Sequence, residues 1–278
     1  MNYTEWRRLF EREVRRPPSE IDLARAALLI ATDQYPDLEI DKYLALLGRM
    51  ADVVRARLPQ DRIPNVCVET LNTYLFRELG FEGNRDQYYD PLNSYLNDVL
   101  ERRTGLPITL SVLYIAIGRR LGLPLHGVGL PGHFIVKYED DRARILIDPF
   151  NRGMILDESG VEARVRDTFH SQAHFDPEWL TTVDARYILA RVLYNLKALF
   201  VPNRDFKRAW QVVDKLLLLE PRSSENIREM GLLSIQVGAY RQAVSYLEEY
   251  LLSHPDAPDA DQLRGYLRTA LTIVEKLN

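Results

Sequence analysis

The sequence predicts an α+β fold: a helical lead-in, a small antiparallel sheet, and an all-α C-terminal segment built of repeats. Three observations predict it. Apolar residues recur at helical spacing through roughly the first 120 positions. Between Leu125 and Leu156 the period drops to two. From about residue 185 the helical period returns, now with a self-similarity of 34 residues.

The first 60 residues read as three helices, punctuated by Pro17-Pro18 and Tyr35-Pro36, because a proline disfavours helix in the residue before it. Trp6, Leu9, Phe10 and Val14 share one helical face. Residues 21–30 are nearly all apolar and read as a buried helix. Over 40–57, Leu44, Leu47, Met50, Val53 and Val54 follow a 3.6-residue period. A fourth helix, 65–79, is expected to stop at Gly80, which suits the residue just past a helix end. A polar, turn-rich stretch from Gly83 to Pro91 follows. Helices are expected at 91–103, with Asp90 or Asn93 as the cap, and at 107–121, with Pro107 in the first turn.

Strands are expected at 125–129, 134–138, 144–147 and 154–156, with the charged run Glu139-Asp140-Asp141-Arg142 as a hairpin connection. In the C-terminal part, Pro221 and Pro255 each end a repeat 34 residues long, the tetratricopeptide period. That register sets Ala209 and Ala243 in one slot, where a small residue lets two helices cross. Gly231 fits the small position of a first helix; Lys197, at the matching position, does not. Residues 259–276 are expected to cap two repeats. Two domains follow, 1–180 and 181–278.

Composition narrows the function. The chain has 278 residues, 46% hydrophobic and 27% charged, with a formal charge of −4. No basic stripe argues for nucleic acid, and no apolar run reaches the roughly 20 residues that span a bilayer. The N-terminal stretch lacks the apolar core of a secretory signal. Cys67 is the single cysteine, which excludes an internal disulfide and a cysteine-rich zinc site. A cytoplasmic protein without cofactor or metal is the expectation. His170 and His174 are four apart but lack the glutamate of an H-E-x-x-H motif, so they read as a solvated pair.

The chemistry concentrates between Gly105 and Asp148. A helix is followed by Gly-Leu-Pro, a short strand, a strand opening on His133 and a strand closing on Asp148. A hairpin of this length can set His133 beside Asp148, an imidazole with the carboxylate that orients it. Ser111 and Thr109 lie in the first turns of the helix, where a hydroxyl usually bonds a carbonyl one turn back. Cys67 lies on another helix and reads as a buried small residue. Asn93, Ser94 and Tyr95 are the polar groups expected to face His133.

The stretches YYDPLNSYLNDVLERRTGLPITLSVLY (88–114), GVGLPGHFIV (127–136) and DPF (148–150) resemble the bacterial SirB-type proteins. Those combine a transglutaminase-like, papain-like core with C-terminal tetratricopeptide repeats; a related core occurs in some eukaryotic F-box proteins. The resemblance implies a Cys-His-Asp triad in which His133 and Asp148 are the His and the Asp. The cysteine position falls on Pro107, which offers neither a thiol nor a backbone N–H for an oxyanion. The resulting expectation is a ligand- or peptide-binding protein that has lost its nucleophile. Its cleft would be lined by Asn93, Ser94, Tyr95, Pro107 and Ser111, and its repeats would hold an unnamed protein or peptide partner. The alternatives are a hydrolase or transferase with His133-Asp148 as general base, and a purely structural interaction protein.

Overall fold

The computed structural model describes residues 2–169 and 175–277, so the pair His170 and His174 lies outside the described residues. The chain packs as two compact units, 1–192 and 193–278.

The first unit opens with α1 (Tyr3–Val14), α2 (Leu23–Ala31) and α3 (Ile40–Arg55). Asn2 and Asp22 cap the first two by accepting the backbone N–H three residues on. Trp6, Phe10 and Val14 are buried as the helical stripe requires, as are Leu47, Met50 and Val54; Val53 is exposed. The fourth helix begins regularly as α4 (Pro64–Asn72) and then widens into a π-helical segment, Thr73–Glu78. Gly80 ends it at φ +74°, where a side chain is strained.

The expected 91–103 helix is broken. Pro91–Ser94 form a short 3₁₀ turn capped by Asp90, Tyr95 is extended, and α5 starts at Leu96 and ends at Arg102. Tertiary bonds explain the break. The Asn93 carbonyl accepts from the Leu106 N–H at 3.4 Å and the Thr109 hydroxyl at 2.7 Å, so the turn is tied to the next helix instead of continuing its own. That helix, α6 (Pro107–Arg120), is buried along its first twelve residues and is the centre of the unit.

Around α6 the chain makes a five-stranded sheet, in the order β6-β5-β4-β3-β7. The strands are β3 (Leu125–Leu130), β4 (His133–Glu139), β5 (Arg144–Asp148), β6 (Met154–Leu156) and β7 (Thr182–Val183), all antiparallel to their neighbours. The short strands β1 (Glu82–Gly83) and β2 (Thr104–Gly105) pair in parallel just before α6. One sheet face carries Val128, Leu130, Ile135, Leu146 and Leu156, which pack with Val161 and Val165 of α7 (Glu158–Phe169). The other face meets α6, where Gly118 leaves room for the Leu125 side chain.

The second unit is helical. α8 (Ala185–Phe200) runs across the boundary into it, followed by α9 (Phe206–Leu219), α10 (Ser224–Gln236), α11 (Tyr240–Ser253) and α12 (Ala260–Lys276). Ala209 and Ala243 are fully buried. A Cβ at Gly231 would lie 2.7 Å from the Leu247 side chain, so only glycine allows α10 and α11 to close this far. Lys197, which stands in the matching slot, is buried with its ammonium 2.7 Å from Glu229 and 2.9 Å from Glu225.

Candidate functional site

The register of the sheet brings His133 and Asp148 together. β4 pairs with β5 through Val136↔Ile147, so one further step sets Asp148 opposite Ile135. Ile135 and His133 are two apart and share a face, which makes His133 and Asp148 diagonal neighbours. His133 Nε2 lies 3.0 Å from Asp148 Oδ2. The approach is off the ring N–H direction, so Nε2 has a close charged neighbour but no aligned hydrogen bond.

Asp148 is fully buried and its carboxylate is otherwise well held. Oδ1 accepts the Asn151 backbone N–H at 3.2 Å. Oδ2 accepts the Asn151 side-chain amide at 2.6 Å and Arg164 Nε, from α7, at 3.1 Å. Burial pushes the carboxyl up, but the His133, Asn151 and Arg164 contacts more than offset it. Asp148 therefore stays below the ordinary aspartate range and is ionised at neutral pH. Neither Asn151 nor Arg164 was identified as part of the site from sequence. Asn151 sits in the turn after Asp148, where an Asx-type bond is a local signal. Arg164 comes from a helix that the sequence reading did not predict.

Phe150 links this pair to the start of α6. Its ring packs edge-on to the His133 imidazole, with centroids 5.9 Å apart. It also fills the space over Gly83, where a Cβ would come within 2.4 Å of the ring. Gly83 is paired with Gly105, two residues before Pro107.

The hydroxyls of α6 are all committed. Thr109 accepts from the Leu106 N–H at 3.0 Å and donates to the Asn93 carbonyl at 2.7 Å, closing the first turn. Ser111 donates to the Pro107 carbonyl at 2.8 Å, the back-bond of a helix interior. Cys67 is completely buried, and burial pushes its thiol up, away from the reactive thiolate.

The residues expected to line a cleft are closed to solvent: Asn93, Ser94, Tyr95, Pro107 and Ser111 are all buried. This corrects the expected lining. The Asn93 amide is absorbed by the Asn84 side chain at 3.0 Å and the Gln87 carbonyl at 2.7 Å. Tyr95 packs edge-on to Tyr35, and Ser94 Oγ has no hydrogen-bond partner among the described residues. An open groove of about 400 Å³ is formed in part by Phe150 and Asn151, the residues that touch the pair, and is lined also by Glu82, Gly83, Arg85, Asp86, Arg152 and Met154; His133 and Asp148 do not line it. Among the described residues no group of three or more His, Cys, Asp or Glu side chains could hold a metal ion. Among the described residues no helix is long and apolar enough to cross a membrane.

Residues 41–194 match the transglutaminase-like superfamily and residues 196–268 match a tetratricopeptide repeat. A UPF0162 protein of Xylella fastidiosa is 38% identical over 250 residues, 89% of this chain and 89% of that protein. Human F-box only protein 21 is 34% identical over 140 residues, 48% of this chain and 21% of its own length. The crystal structure of menin aligns over 96% of this chain and 69% of menin at 12% identity, with a TM-score of 0.45, which carries no functional reading. With residues 41–194 and 196–268 matched in this way, this chain belongs to the transglutaminase-like superfamily and carries a C-terminal tetratricopeptide segment.

Proposed function

We propose that this chain is a ligand- or peptide-binding protein of the SirB type, built on a transglutaminase-like core that has lost its nucleophile. Its C-terminal repeats then serve as the surface for a protein partner, and its place is the cytoplasm. In functional terms the core is residues 1–180 and the interaction domain 181–278.

One observation carries the reading: the His133–Asp148 contact of 3.0 Å survives while the start of α6 offers no nucleophile. Pro107 has neither thiol nor N–H. Thr109 and Ser111 spend their hydroxyls within the helix start, and Cys67 is buried on α4. A thiol enzyme needs a thiolate beside the imidazole. The groove beside Phe150 replaces the buried residues 93–95, 107 and 111 as the ligand-binding surface.

A second reading has its own support. His133 Nε2 lies against an ionised Asp148, which leaves Nδ1 as the ring nitrogen with no hydrogen-bond partner among the described residues. Such an imidazole can take a proton from water or a substrate hydroxyl, which is the role of a general base in a hydrolase.

The Pro107→Cys variant separates the two. It restores a thiol and an N–H; one oxyanion donor alone accounts for about 10²–10³ in rate. On the binding reading, the variant shows at most trace hydrolysis of a peptide p-nitroanilide. A strong gain that disappears in Pro107→Cys/His133→Ala would show a complete catalytic site and overturn the reading.

A further inference from the structure

We propose that Arg85 is the anchor for a carboxylate on the ligand of this groove, an assignment that rests on the binding reading above. Arg85 is exposed, and its guanidinium lies over the Phe150 ring at 5.1 Å. Its Nη2 donates to Asn151 Oδ1. Both contacts are to neutral groups, and among the described residues Arg85 has no carboxylate partner. Arg152, which also lines the groove, and Arg164 of α7, which does not, are both paired with carboxylates. Arg152 pairs with Glu82, its Nε at 3.1 Å, and Arg164 Nε bonds Asp148 at 3.1 Å. Asp86, next to Arg85, comes within ion-pair distance of no cation among the described residues.

The anchoring is built from the site itself. Asn151 holds Arg85 with its oxygen and Asp148 with its nitrogen, so one amide fixes the guanidinium and the His133 partner together. Phe150 does the same from the other side, touching both Arg85 and His133. A guanidinium stacked on a ring, with one edge tied down, presents its remaining N–H groups in a fixed fork that matches a carboxylate. The body of such a ligand meets aromatic and apolar surface. Tyr88 lies 6.1 Å from Phe150, Tyr89 is 78% exposed beside it, and Met154 is 49% exposed on the edge strand β6. The ligand class is therefore a carboxylate with an apolar or aromatic body, such as an N-acyl amino acid or a peptide C-terminus.

The test uses the full chain and two matched probes, hippurate and its amide, followed by the ¹⁵N–¹H resonances of the arginine Nε groups. Hippurate should shift the Arg85 resonance saturably, and the amide should not. Arg85→Gln should weaken hippurate binding, read by competition calorimetry, by at least about tenfold, the value of one charge-assisted bond pair. Arg85→Lys, which keeps charge without the fork, should fall between. Equal binding of hippurate and amide, or unchanged binding in Arg85→Gln, would overturn the assignment. Inorganic phosphate displacing hippurate more tightly than acetate does would overturn the carboxylate class. The readout is independent of catalysis. A groove blind to hippurate beside a strong His133-dependent gain in Pro107→Cys removes both readings; blindness without that gain removes Arg85 alone.

Discussion

Asp148→Ala tests the site as a structure. The carboxylate is fully buried and holds His133, two donors of Asn151 and Arg164. Removing one partner of a buried charge pair costs about 3–5 kcal/mol, because the remaining charge is stranded. Here Arg164 keeps 24% of its side-chain surface exposed and regains water, so the low end, about 3 kcal/mol, is expected. The effect has a pH signature. The folded-state carboxyl sits below its ordinary value, so the folded protein binds fewer protons than the unfolded chain in that window. Its stabilising contribution is full above the unfolded value of about 3.9 and is lost as pH falls through the folded value. The assay is urea unfolding followed by tryptophan fluorescence in a Trp210→Phe background, so that Trp6 and Trp179 report the first unit alone. The gap between parent and Asp148→Ala should be widest at pH 7 and narrow toward pH 3. A gap that stays constant across that range would refute the claim that an ionised Asp148 holds the site together.

Ala209→Leu and Ala243→Leu should each lower the stability of the second unit by about 1–3 kcal/mol through overpacking, read as thermal melts. Melts equal to the parent would dissolve the repeat register. Asp98→Asn should raise the melting temperature at pH 7. Asp98 is buried, Oδ1 accepts the Tyr35 hydroxyl at 3.0 Å, and Oδ2 has no hydrogen-bond partner among the described residues. Burial pushes its carboxyl above the ordinary range, so the folded state holds a proton that the unfolded chain has already released. Ionised Asp98 thus opposes folding as pH rises from about 3.9 through the raised value. Asparagine keeps the Oδ1 acceptor without the charge; a lower melting temperature in the variant would contradict this.

The pair at the centre of the site was legible because strand alternation and a short hairpin are local signals: His133 and Asp148 follow from the period-two pattern and the turn between. The repeat was legible for a similar reason, since its period is written twice. What escaped the sequence is held by distant contacts. Nothing local says that Tyr95 interrupts a helix; Asn93 does so by bonding Leu106 and Thr109 across the fold. Nothing local says that Phe150 will sit between Gly83 and His133, or that an arginine sixteen positions past Asp148 will return to it. The misplaced cleft has the same origin. Asn93 and Ser94 look like site residues in sequence because they are polar, yet the groove opens at Arg85 and Met154, whose neighbours are set by β1 and β6.

Amine incorporation tests the central claim most directly. The parent chain, Cys67→Ala and His133→Ala are incubated with dansylcadaverine and a glutamine-bearing acceptor protein, and covalent fluorescence is measured over time. The proposed reading, with Pro107 in the nucleophile slot and Cys67 buried, predicts incorporation at the background level for all three. Incorporation by the parent that is lost in Cys67→Ala would show a working thiol and contradict the account.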